Sequence, residues 1–321
     1  MTKALLFVVV FYVMTPVVEP TSAAEVTSAP DKLAFTARED GGYEFDTGML
    51  KGRLREAGKG LGLTSAVHVP TGMSLNGAYG ILSYYRVFTT NRRYGTAAWD
   101  WPGTSKLLPD GAIQVTWPEG DDRSFELKAI YRFRDASTLD VETIVKAGKD
   151  LSKFEVFLAS YFHESFPLPQ VFASPDTKIV GKRIFMTAKK SFGNWQMFPR
   201  HYDVVPIIHD GRWQKEPNPV DWKIMPPMAK PIALRRGQDP APKAILMAPP
   251  DDCFAIATPY QGEGHYSMYF SLFGRDIKAG QTARARLRLV VTNINSNKEI
   301  LKLYEKYMKD LSELTVQTNS P

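Results

Sequence analysis

The sequence predicts an all-β protein: antiparallel strands stacked as two sheets, a long loop insertion, and one C-terminal helix. Three observations predict it. Apolar and polar residues alternate with period two in several segments, other short segments are apolar on both faces, and helical spacing with a start signal occurs only near the end.

In chain order the first element is a leader. Lys3 supplies a small positive start, Ala4 to Met14 an apolar run, and Ser22-Ala23-Ala24 the small residues expected at a cut after Ala23 or Ala24. The apolar run is about eleven residues where a membrane span needs roughly twenty, so residues 1–24 are expected to be a cleaved signal peptide and not an anchor. No cysteine lies near the cut to carry a lipid. The expected mature protein, residues 25–321, is periplasmic or secreted, a single domain, and free of the membrane. Export invites disulfides, yet Cys253 is the only cysteine and no intrachain bridge can form. Stability must come from the core, and a chain of roughly 300 residues buries about three quarters of its surface. Cys253 is expected to sit in that core.

The clearest alternation begins at Phe125. Phe125, Leu127, Ala129, Tyr131 and Phe133 share one face, and after a polar break Leu139, Val141, Thr143 and Val145 do the same. That pattern is a hairpin with one wet face. Ala283 to Val291 alternates with Arg284, Arg286 and Arg288, which are expected on a solvated face. Phe154 to Phe162 and Tyr266 to Phe273 are apolar on both sides and suit strands buried between layers. Shorter strands are expected at 43–47, 61–69, 83–88, 112–117, 244–247 and 254–258.

Between 165 and 243 the texture changes. This stretch holds 12 of the 23 prolines and Trp195, Trp213 and Trp222. Proline disfavours central strands, so ordered loops over the sheets are expected. The helix is placed at 296–313, because Ser296 and Glu299 form a capping box ahead of Ile300, Leu303, Tyr304, Tyr307 and Leu311.

The order of elements, and several phrases, resemble the galactose mutarotase-like (aldose 1-epimerase-like) β-supersandwich superfamily. The phrases are Gly62-Leu63-Thr64-Ser65, Val69-Pro70-Thr71-Gly72, Tyr85-Arg86-Val87-Phe88, the pair Asn91-Arg92, and Tyr161-Phe162-His163-Glu164. The resemblance implies a supersandwich fold and sugar chemistry, with Asn91 and Arg92 on sugar hydroxyls, His163 in place of the family's central histidine and Glu263 in place of its late glutamate. The His-Gly-Gly phrase of the epimerases is absent.

Sugar recognition uses aromatic faces and charged or amide groups that take hydroxyls. Three clusters offer both: Arg86, Asn91, Arg92, Arg93, Tyr94, Trp99 and Trp101; then Tyr161, His163 and Glu164; then Glu263, His265 and Tyr266. Trp195, His201 and Tyr202 of the insertion would wall the site. His163, Glu164, Glu263 and His265 are the candidate proton carriers. No metal and no cofactor are expected, since His201 and His209 with Asp203 and Asp210 fit no ligand spacing.

The formal charge of +6 leans toward an anionic polysaccharide, while the lack of dense basic runs sets nucleic acid aside. Three functions stay open on these residues: a carbohydrate-active enzyme, a non-catalytic carbohydrate-binding protein, and a lyase acting on uronate-containing glycans.

Overall fold

A computed structural model describes residues 33–54, 62–175, 183–237 and 241–318, with side chains described up to Glu313. The expected leader, 1–24, and parts of the insertion, 176–182 and 238–240, lie outside the described residues.

The alternating segments pair as their patterns require. Phe125–Asp135 and Thr138–Ala147 form the hairpin, with Leu127 opposite Val145, Tyr131 opposite Val141 and Phe133 opposite Leu139. Thr282–Thr292 joins it antiparallel, setting Asp140 opposite Arg288 and Glu142 opposite Arg286. These strands lie within a nine-stranded sheet. The two-sided apolar segments, Leu151–Tyr161 and Ser267–Ile277, lie side by side in a seven-stranded sheet with Cys253–Pro259 and Ser83–Thr89.

Why those segments are apolar on both sides is now plain. Phe154, Val156 and Leu158 point inward and share a core with Phe125, Leu127, Ala129 and Tyr131 of the nine-stranded sheet. Phe157, Ala159 and Tyr161 point the other way, under Val204, Ile208, Trp213 and Trp222 of the insertion. The chain is thus layered as helix, sheet, sheet and insertion, an all-β sandwich of antiparallel sheets. A smaller sheet of Thr36–Ala37, Tyr43–Asp46, Leu50–Leu54, Val67–His68 and Met73–Ser74 sets Phe45, with the neighbouring Phe35, on Phe133. Cys253 is fully buried, and burial pushes its thiol well above the ordinary range.

Two expectations are refined. The Pro-rich stretch holds loops but also strands: Leu168–Ala173, Ile184–Thr187 and Met228–Arg236 extend the nine-stranded sheet, and Trp195–Pro199 extends the other. Proline is tolerated where no ladder donor is needed. Pro231 lies in the register shift between the pairs Val171–Ala233 and Ala173–Met228, and its carbonyl still accepts from Ala248.

The second refinement concerns the arginine face. Arg284 is exposed and pairs with Glu142, as expected of a solvated face, but Arg288 is buried under the helix and bonds both Asp140 and Asp310. A helix docked on that face removes it from water.

The helix Asn297–Thr318 starts at the capping box, with the Glu299 amide donating to Ser296 Oγ at 3.2 Å and the Ser296 amide donating to Glu299 Oε2 at 3.0 Å. Ile300, Tyr304 and Tyr307 pack on Ile232, Leu234, Ile245 and Met247. Since Ile300 is fully buried, Ile300→Ala is expected to lower unfolding free energy in urea by about 2–5 kcal/mol. Lys302→Ala, on the solvent side, should change it by less than about 0.5 kcal/mol.

Candidate functional site

A cleft of about 460 Å3 opens on the outer face of the seven-stranded sheet. Its floor comes from strand alternation: Phe157 and Tyr161 of Leu151–Tyr161 and Tyr269 of Ser267–Ile277 all line it. Ser83–Thr89 contributes differently. Its pairing with Leu151–Tyr161 shifts register between Phe157, opposite Arg86, and Leu158, opposite Tyr84. Tyr85 is the extra residue, so two successive side chains, Tyr85 and Arg86, both line the cleft.

Arg86 is 3% exposed and meets no carboxylate among the described residues. Its Nη2 donates to the Asn218 carbonyl at 2.8 Å and to Tyr85 Oη at 3.1 Å, while Nε and Nη1 meet no acceptor among the described residues. The guanidinium lies 4.9 Å from the Tyr85 ring and 5.3 Å from the Trp213 ring. Arg93 holds the same loop through the carbonyls of Lys215 and Pro217, and its pKa is lowered to about 10, first by burial and then by the charge of Arg86.

The walls are aromatic. Trp99 is stacked between Tyr79 and Tyr85, with centroids at 5.7 and 4.5 Å and planes within 6°. Trp213 and Trp222 also line the cleft, and the indole N–H of each is buried with no acceptor among the described residues. Tyr269 Oη lies 3.5 Å from Tyr161 Oη. Burial, followed by the neighbouring Tyr269, holds the Tyr161 phenol well above its usual range, and burial pushes Tyr269 up to about 12. At the rim, Glu263 grips His265 twice: its carboxylate accepts from the His265 amide at 3.0 Å and meets Nδ1 at 2.6 Å. His265 stands edge-on to Trp195 at 5.7 Å.

Of the residues singled out in the sequence, Arg86, Trp99, Tyr161, Trp195 and His265 line this cleft, with Glu263 behind His265. The others are placed elsewhere. The strand ends at Tyr161, so His163 enters a turn where its ring bonds Ser165 Oγ at 2.8 Å, and Glu164 is exposed beside it. Asn91 sits at a positive φ of 50° in the turn before Arg92. Arg92 donates to the Asp122 carbonyl and covers the ring of Tyr94, which is itself buried against Phe125 with its hydroxyl on Thr89. His201 pairs with Asp203 in the open, and Tyr202 is 54% exposed. Sequence reasoning missed Tyr79 and Tyr85, whose place depends on a turn and a bulge. Trp213 and Trp222 were legible as insertion aromatics but not as cleft wall.

The wall is fastened from beneath. Arg212, fully buried, donates from Nη1 to Glu155 Oε2 at 2.8 Å and from Nε and Nη2 to Asp210 at 3.0 and 2.7 Å. Glu155 lies on the same strand face as Phe157 and Tyr161. Burial pushes the Glu155 carboxyl up against the pull of Arg212; burial also opposes the Arg212 charge, but the two carboxylates outweigh it and raise its pKa.

No protein-family model matches the sequence, and no curated protein matches it. Solved structures do. A galactose mutarotase-like protein from Lactobacillus casei is similar at TM-score 0.47 and 11% identity, over 78% of this chain and 100% of that one. An aldose epimerase homologue from C. elegans is similar at 0.48 and 8%, over 82% and 99%. A heparan sulfate lyase from Pedobacter heparinus is similar at 0.45 and 8%, over 82% of this chain and 37% of its own. The resemblance expected from the sequence thus recurs among solved structures as a likeness of fold. At these values it says nothing about chemistry.

Removing one partner of a buried ion pair strands the other. Arg212→Met is expected to cost about 3–5 kcal/mol at neutral pH in urea unfolding. The deficit should narrow as pH is lowered from neutral into the acid range, because the buried Glu155, its pKa already raised and freed from the pull of Arg212, takes up a proton before the unfolded chain does.

Proposed function

We propose that the cleft binds a sugar residue of a glycan, that this residue carries a carboxylate, and that His265 with Glu263 performs acid–base chemistry on it. The observation that carries the proposal is Arg86. A buried cation is costly unless paired, and this one has two free nitrogens in an aromatic cleft whose lining includes no carboxylate. A carboxylate ligand would complete it through charge-assisted hydrogen bonds. Tyr79, the exposed outer ring of the Trp99 stack, and Trp195 offer flat faces for the apolar side of a pyranose, and the indole N–H groups of Trp213 and Trp222 offer donors for ring and hydroxyl oxygens. The leader-like residues 1–24 and the positive charge support an extracytoplasmic, acidic glycan as the source.

Glu263 on Nδ1 favours the His265 tautomer with a proton there, leaving Nε2 as an acceptor for a substrate proton. A second reading has its own observation in Tyr161, a neutral phenol in the same cleft. In an elimination on a uronate, His265 would take the proton beside the carboxylate. The electron pair would form the ring double bond, the glycosidic C–O bond would break, and Tyr161 would protonate the leaving oxygen. Arg86 would stabilise the charge that builds on the carboxylate.

Calorimetric titration with galacturonate and glucuronate against galactose and glucose tests the binding. Acidic sugars are expected to bind at least about tenfold tighter, and Arg86→Met to erase that preference. Equal affinity for acidic and neutral sugars in the wild type overturns the carboxylate assignment. Incubation with uronate polymers tests the chemistry. Growth of ultraviolet absorbance, lost in His265→Ala with binding retained, marks elimination, whereas binding without any product assigns a binding module.

A further inference from the structure

We infer that the ligand extends past the Trp213–Trp222 wall, and that a second subsite there takes a neutral sugar unit; the inference rests on the saccharide reading of the main cleft. A second cavity of about 280 Å3 shares Trp213, Val220 and Trp222 with that cleft, so the same wall has a hollow on either side. The second hollow has polar groups of its own. Gln214 Nε2 donates to Asp221 Oδ1 at 2.9 Å, which locks amide and carboxylate side by side and leaves Gln214 Oε1 and Asp221 Oδ2 as acceptors at an exposed position.

The two cavities differ in sign. Arg86 lines the main cleft, where no carboxylate does; Asp221 lines the second, where no arginine or lysine does. Asp210, the other nearby acid, is committed to Arg212, and His209 is the remaining titratable group of the lining. A carboxylate acceptor repels an acidic sugar and takes hydroxyl protons, so the subsite suits the vicinal hydroxyls of an uncharged ring.

The turn that shapes this hollow requires glycine. Gly211 has φ +94°, and a Cβ there would fall 2.5 Å from Asn91 Oδ1. That contact places Asn91, expected from the sequence on sugar hydroxyls, behind the backbone of the second subsite.

The test compares three probes by calorimetry on the full mature chain: galacturonate, digalacturonate, and aldobiouronic acids joining one uronate to one neutral hexose in either order. The aldobiouronic acid of the right order is expected to bind about tenfold tighter than the monomer, and digalacturonate to gain little. Asp221→Ala and Gln214→Ala, both at exposed positions, should abolish the gain while leaving monomer affinity unchanged. Asp221→Asn should let digalacturonate gain as well. Equal affinity for monomer and every disaccharide, or a gain that survives both alanine variants, overturns the second subsite. Failure of the wild type to bind even the monomer overturns the saccharide reading instead.

Discussion

A single arginine, buried between two carboxylates, joins the aromatic wall of the insertion to the sheet beneath it. Arg212 ties the insertion to Glu155 in the middle of the sheet, one residue before the wall residue Trp213. Trp213 stands 4.7 Å from both Phe88 and Phe157, and meets Trp222 at 5.1 Å. An apolar contact alone would let such a layer slide, since hydrophobic attraction has no direction. Hydrogen-bonded charges in a dry interior do have direction. The Nη1–Glu155 bond fixes the wall to the floor, and the two bonds to Asp210 hold the guanidinium in its orientation within its own loop.

The tie is possible because the strand Leu151–Tyr161 is buried on both faces. Its inner face joins the two sheets through Phe154, Val156 and Leu158, and its outer face carries Glu155, Phe157 and Tyr161 in one row. The row places the anchor and the cleft floor on one rigid element. The floor side chains Phe157 and Tyr161 are therefore not left to loop geometry, which is the usual weakness of a site built partly from an insertion.

Two buried arginines at the same sheet face contrast sharply. Arg212 has two carboxylates and is complete, whereas Arg86 has carbonyl and hydroxyl partners on one nitrogen and, among the described residues, no acceptor on two others. The first is explained by the fold. The second is not, and the difference between them distinguishes structural burial from an incomplete site. Around Arg86 the aromatic rings exclude water and strengthen any charge-assisted bond that forms there.

Local pattern alone determined the long alternating strands and the capped helix, because i to i+2 alternation and a capping box are written in neighbouring residues; it left the insertion's strands as loops and put Arg288 on a wet face. The pairing of His265 with Glu263, two residues apart around Gly264, was likewise within reach of the sequence. Tertiary structure decided the rest. Glu155 and Arg212 are 57 residues apart, and nothing local marks one arginine as an anchor and Arg86 as free. The bulge that turns Tyr85 toward the cleft arises only against the neighbouring strand. His163 has the parity of Tyr161, yet the strand stops before it and its ring serves its own turn. Periodicity assigns a side chain to a face of its strand; which partners wait on that face is set by long-range pairing.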